Sequence, residues 1–235
     1  MTTAISSSYR RDESSRCGIV RVLHDNGLSV VLIFTFLLLF WAQTYTGLYA
    51  YNQEQADHGE AKISYWQYLA TGHFFEATAE NWESEFLQMA AFVWLSVHLL
   101  QKGSPEAKGS DEPDEVDREP DPNRPGAPWP VRRGGIWLAL YSRSLTLAFL
   151  LLFLISFLLH AAGGAREYSQ EQLAHGQSGV TMLQFMGTAE FWFQSMQNWQ
   201  SEFLAIAAMV ILSIYLRQKG SPESKPVDAA HESNE

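Results

Sequence analysis

The chain has 235 residues, 46% of them hydrophobic and 18% charged, with a formal net charge of −10 at pH 7. Charge is absent between Asp25 and Glu54 and again between Arg143 and Arg166, and each gap exceeds the ~20 residues an α-helix needs to cross ~30 Å of hydrocarbon. A soluble globular protein is therefore excluded. So is a nucleic-acid binder, because the chain is acidic and carries no basic stripe.

Residues 1–23 read as a polar cytoplasmic tail with Arg10, Arg11, Arg16 and Arg21. The apolar run that follows is too long for the ~7–15-residue core of a signal peptide, and no clean small-residue cleavage site follows it. It is expected to be a retained span at about 27–48. The single cysteine, Cys17, excludes an intramolecular disulfide and reads as an inert thiol.

From residue 24 the chain is one unit written twice at a constant offset of 117. Tyr51-Asn-Gln-Glu-Gln-x-x-His58-Gly59 recurs as Tyr168-Ser-Gln-Glu-Gln-x-x-His175-Gly176. Asn81-Trp82-Glu-Ser84-Glu85-Phe86-Leu87 recurs as Asn198-Trp199-Gln-Ser201-Glu202-Phe203-Leu204, and Gln101-Lys-Gly-Ser-Pro-Glu106 as Gln218-Lys-Gly-Ser-Pro-Glu223. Aligned without a gap, 24–106 and 141–223 agree at about 32 of 83 positions. A repeat of this kind governs the whole architecture.

Each copy holds a long apolar run, the QEQxxHG segment, an aromatic amphipathic stretch (64–80 and 181–197) and a second apolar run. The second runs are short, but they span if Glu85 and Glu202 are taken slightly inside, at about 81–101 and 198–217. The third span is expected at about 144–164. The fold class is then all-α: a polytopic membrane protein with four transmembrane helices from two tandem parallel repeats, each with an extracytoplasmic amphipathic helix. Its regions are the tail 1–23, repeat 1 over 24–106, a disordered acidic, Pro-rich linker over 107–140, repeat 2 over 141–223 and a disordered tail over 224–235. Seven of the nine prolines fall between Gly103 and Gly135, and proline with like charge leaves nothing to bury.

Basic residues set the orientation. The four N-terminal arginines, Lys102, Arg132, Arg133, Arg143, Arg217 and Lys219 flank span ends on one side, against only Lys62 and Arg166 in the QEQxxHG loops. Both termini and the linker are expected in the cytoplasm.

Two constellations carry candidate chemistry. Asn81 and Glu85, like Asn198 and Glu202, stand i,i+4 on one helix face. A carboxylate a turn inside the hydrocarbon needs a partner or water, so these four residues read either as an ion or proton site or as a polar clasp between helices. Glu54 with His58, and Glu171 with His175, could supply two carboxylates and two imidazoles to a divalent transition metal. The glycine after each histidine equally marks a helix C-cap. His98 is matched by Tyr215 and His160 by Gln43 across the repeat, so the remaining histidines form no haem pair. No nucleophile elbow, P-loop, dinucleotide fingerprint or zincin motif is present, and no cofactor is named by the residues.

The doubled QEQxxHG, NWxSEF and QKGSPE motifs resemble an uncharacterised family of bacterial integral membrane proteins, domain of unknown function 6766. The resemblance covers all but the tails and linker and implies the architecture and the membrane location, but no chemistry. The second copy departs from the first where Gln200 stands for Glu83, Glu190 for His73 and Ala205 for Gln88, so any role for those positions is asymmetric.

Three functions compete. The first is a non-enzymatic scaffold or partner-binding module, whose partners are the bilayer and a second copy or another membrane protein. The second is a small proton or cation channel or transporter using Glu85 and Glu202. The third is a metal- or quinone-dependent membrane enzyme.

Overall fold

The computed structural model describes residues 23–109 and 114–233. The chain divides into two compact units, one ending at Leu69 and the other starting at Ala70. Among the described residues all regular structure is helical. The expected tail 1–23 lies outside them except for Leu23.

The first unit holds α1 (Gly27–Asp57) and the single turn α2 (Tyr65–Tyr68). No proline or capping glycine interrupts the sequence between Leu28 and Asp57. The apolar run therefore continues as one helix through the QEQ residues. It stops where His58 takes the C-cap and Gly59 follows at φ +76°, the left-handed region that only glycine enters cheaply. The chain then folds back along its own helix. The Asn52 side chain grips Ile63 at both backbone atoms, accepting from its N–H (2.7 Å) and donating to its carbonyl (3.0 Å). Thr44 hydrogen-bonds the Tyr65 hydroxyl at 2.9 Å, and Gly47 leaves room for the buried Tyr68 ring.

The second unit begins with α3 (Gly72–His98). After a 3-10 turn at Glu115–Asp117 come α4 (Trp129–Arg133), α5 (Gly135–Tyr141), α6 (Ser144–Ala174), α7 (Met182–Phe185) and α8 (Ala189–Tyr215). The bounds of α6, α7 and α8 lie 117 residues after those of α1, α2 and α3. Local devices recur as well. Ser169 accepts from the Val180 N–H at 2.9 Å, as Asn52 does from Ile63. Gly164 makes room for Phe185, as Gly47 does for Tyr68, and Gly176 closes α6 at φ +72°.

α1 and α6 are the helices long and apolar enough to cross a membrane, with mean hydropathies of 2.0 and 2.4 over their most apolar stretches. At 31 residues, each would reach ~46 Å. α3 and α8 have 27 residues apiece but carry carboxylates in their N-terminal halves. The stretches expected as separate amphipathic helices, 64–80 and 181–197, are divided in the structure. α2 and α7 end after one turn. Thr71 and Thr188 then cap new helices by accepting from the N–H groups of Phe74 (3.2 Å) and Phe191 (3.3 Å). The remainder of each stretch is the first part of α3 or α8.

α3 packs mainly along α6. Two glycines permit the close crossing: a Cβ on Gly163 would stand 2.6 Å from the Glu76 nitrogen, and one on Gly72 2.7 Å from the Gly163 oxygen. Small residues are what let helix backbones approach this closely. Beside the crossing, Ala161, Ala165, Phe185 and Phe191 form the buried core, surrounded by Phe157, Tyr168 and Met186.

Within the segment expected to be a disordered linker, α4 and α5 are joined by an edge-on contact of Trp129 with Trp137 at 5.2 Å, and Lys108 pairs with Asp117. The C-terminal residues beyond 224 also have defined partners. The buried Lys225 ammonium donates to the carbonyls of Ala230, His231 and Ser233, and Lys102 reaches Glu232 at 2.9 Å.

The first QKGSPE segment meets the end of α8, where Ser104 and Ser213 bond at 3.1 Å, and burial together with the neighbouring Glu223 carboxyl of the second segment pushes Glu106 up to about 7. The native junction thus binds a proton that the unfolded chain has released. Its stability is fully present below the ordinary carboxylate range and falls as pH rises towards 7. Glu232, lowered by Lys102, stays ionised through that window. Amide exchange in 218–233 is therefore expected to be faster at pH 8 than at pH 5 after correction for intrinsic rates, and Glu106→Gln should abolish the difference. Equal protection at both pH values in the wild type would refute it.

Candidate functional site

The most buried polar cluster among the described residues lies where α3, α6 and α8 meet. Glu83 on α3 and His160 on α6 are both 0% exposed, with His160 Nδ1 3.0 Å from Glu83 Oε2. The other carboxylate oxygen, Oε1, accepts from the Ser195 hydroxyl (2.9 Å) and the Trp199 indole N–H (3.1 Å), both on α8. The Gln194 amide nitrogen donates to Glu76 (2.8 Å) and Glu190 (3.2 Å), which turns its oxygen towards His160 Nε2 at 3.0 Å. Phe191 stacks on the imidazole with ring centroids 4.8 Å apart. One turn before Glu83, Glu80 is held by the Asn198 amide.

This pattern constrains the protons. With Glu76 and Glu190 ionised, both accept, so Gln194 presents its oxygen to His160 and Nε2 carries hydrogen. Nδ1 then either donates to ionised Glu83, making an imidazolium, or accepts from protonated Glu83. Every other bond in the cluster is the same in both forms. A proton can thus lie at either end of a 3.0 Å bond with no repacking, inside a site where an unpaired charge would cost several kcal/mol.

Beside the cluster opens a cavity of about 430 Å³ lined by Glu76, Glu167, Glu171, His175, Glu190 and Gln194, among others. Gln194, Glu76 and Glu190 belong to both, so the cavity reaches the amide that bonds the buried His160.

Of the residues singled out by spacing, Asn198 reaches Glu80, and Glu171 and His175 line the cavity, while the others lie elsewhere. Glu85 and Asn81 are exposed, and Glu202 is half-buried and near enough to Glu85 to feel its charge. Asn81 donates to the Ala77 carbonyl on its own helix (2.8 Å), and Asn198 to that of Gln194 (3.1 Å). Ser84 and Ser201 bond back to the Asn81 and Asn198 carbonyls. His58 and His175 set Nδ1 against the carbonyls of Glu54 (2.9 Å) and Glu171 (2.8 Å), finishing their helices. Among the described residues no three His, Cys, Asp or Glu side chains gather as metal ligands.

The buried cluster was legible in part. Glu76, Glu80 and Glu83 follow one another at i, i+4 and i+7, one stripe of a helix. Many of its members sit where the two copies differ, Glu83 against Gln200, His160 against Gln43, Gln194 against Ala77, Glu76 against Phe193 and Glu190 against His73, while Phe191, Asn198 and Trp199 match Phe74, Asn81 and Trp82. Reading the shared residues as functional pointed to Glu85 and Glu202.

These features define an all-helical protein with two helices able to cross a membrane and a buried polar cluster between helices. A family described as Domain of unknown function (DUF6766) matches residues 19–235, and the chain belongs to that family. No curated protein and no solved structure gives a match.

Proposed function

We propose that this is a multi-pass protein of the bacterial inner membrane that moves or exchanges protons at the Glu83–His160 pair. In this reading α1, α3, α6 and α8 are four spans from two tandem parallel repeats, with both termini and the linker cytoplasmic. The basic residues at the span ends support that orientation. The observation that carries the function is the buried pair itself, whose proton can occupy either partner while all other bonds persist. Ionisable groups within a membrane segment are costly and commonly mark proton pathways. The pair exists in one copy only, which a device for pairing like repeats would not require.

The same geometry favours one further reading. Glu83 ties three helices together, as a clasp in a scaffold or partner-binding module would. Proteoliposomes separate the two. Under a potassium diffusion potential, dye-reported proton uptake should exceed that of empty vesicles, and Glu83→Gln should lower it about tenfold or more, with Glu85→Gln unchanged. Wild-type uptake no faster than in empty vesicles would leave the clasp as the function of the cluster.

A further inference from the structure

We infer that the Glu83–His160 pair exchanges its proton with water from one end only, through the cavity bounded by the C-terminal part of α6 and the N-terminal parts of α3 and α8. This rests on the proton-handling reading above and adds the route.

Chain direction carries the argument. α6 passes from His160 to Glu167, Glu171 and His175, towards the cavity. α3 and α8 run the other way, so Glu76 and Glu80 precede Glu83, while Glu190 and Gln194 precede Ser195. Glu76, Glu80, Glu167, Glu171, His175 and Glu190 therefore lie at the same end of the pair. Gln194 joins the two regions, bonding His160 on one side and Glu76 and Glu190 on the other while lining the cavity. An amide cannot itself titrate at neutral pH, but Gln194 both lines the cavity and bonds Nε2, so a single side chain separates the buried imidazole from it.

The opposite end is aromatic. There Phe153, seven residues before His160 on α6, meets Trp199, four residues after Ser195 on α8, with ring centroids 6.1 Å apart. Ser156 and Gln88, buried on that side, have no titratable proton at neutral pH. The carboxylates beyond are Glu85, which is exposed, and Glu202, about two helical turns past Ser195 with Trp199 between.

The test uses the full chain in lipid nanodiscs with ¹⁵N-labelled histidine, the His160 resonance being assigned by its loss in His160→Gln. Gln194→Leu is expected to slow exchange of the His160 ring N–H with water by about tenfold or more, and Glu202→Gln to leave it unchanged. Should Gln194→Leu fold poorly, Glu171→Cys in a Cys17→Ser background supplies a second arm. Capping that cysteine with a bulky thiol reagent at the cavity mouth should slow exchange without altering the His160 shift. Exchange that ignores both changes, or that slows in Glu202→Gln, would overturn the route while leaving the pair as a proton site. A His160 that keeps one protonation state from pH ~5 to ~9, either side of its ordinary pKa, would overturn the proton reading itself.

Discussion

Replacing Glu83 with leucine is expected to destabilise the purified protein by ~3–5 kcal/mol, the cost of breaking a buried ion pair from one side. His160 would lose its carboxylate, and the Ser195 hydroxyl and Trp199 indole would lose their acceptor at 2.9 and 3.1 Å. Ser195 and His160 are fully buried and have no water to turn to. Glu83→Gln keeps one acceptor oxygen and the side-chain shape, so it should cost less, ~1–2 kcal/mol. Glu85→Leu, two residues along on the exposed face, should change stability by no more than ~0.5 kcal/mol. Denaturant titration of the three variants in one detergent gives the ranking. If Glu83→Leu and Glu85→Leu unfold together, the cluster is neither a clasp nor a paired site.

The second large effect is expected at Phe185. The ring is fully buried in the angle between α6 and α7, over Gly164 and against Tyr168 and Phe191 with centroids 5.6 Å away in each case. Phe185→Ala removes a whole ring from a packed site, and such changes cost ~3–5 kcal/mol. The lower end is expected here, because packing and not water exclusion drives association between membrane helices. The consequence extends beyond stability. Phe191, which Phe185 supports, is the ring stacked on His160, so the cavity left by alanine should loosen the imidazole and speed its exchange with water. Phe185→Leu refills part of the space and should recover most of the loss. A Phe185→Ala protein as stable as the wild type would show that α7 is not anchored through this ring.

The first long helix of each copy shows how far patterning reaches. An uncharged apolar run dictates a helix wherever it lies, and the glycines after His58 and His175 mark the ends, because only a residue without Cβ turns left-handed there at little cost. The helices nevertheless run nine or ten residues beyond the apolar limits expected at 48 and 164, since no residue within YxQEQ breaks a helix. The divided amphipathic stretches show a competing local effect. Thr71 and Thr188 offer side-chain oxygens to new helix N-termini, and capping overrode a continuous aromatic pattern.

By itself, the sequence determined the helical class, the long apolar segments, the 117-residue repetition and the capping signals, all of which depend on neighbours within a few turns. It also displayed every member of the buried cluster, including the Glu76, Glu80 and Glu83 stripe. Tertiary structure alone decided which carboxylate of Asn-Trp-Glu-Ser-Glu turns inward. Glu83 and Glu85 are two residues apart, so a helix points them to nearly opposite sides, and nothing local prefers either. The choice is made by the close crossing at Gly72 and Gly163, which brings α3 against α6 and sets Glu83 opposite His160, 77 residues away along the chain.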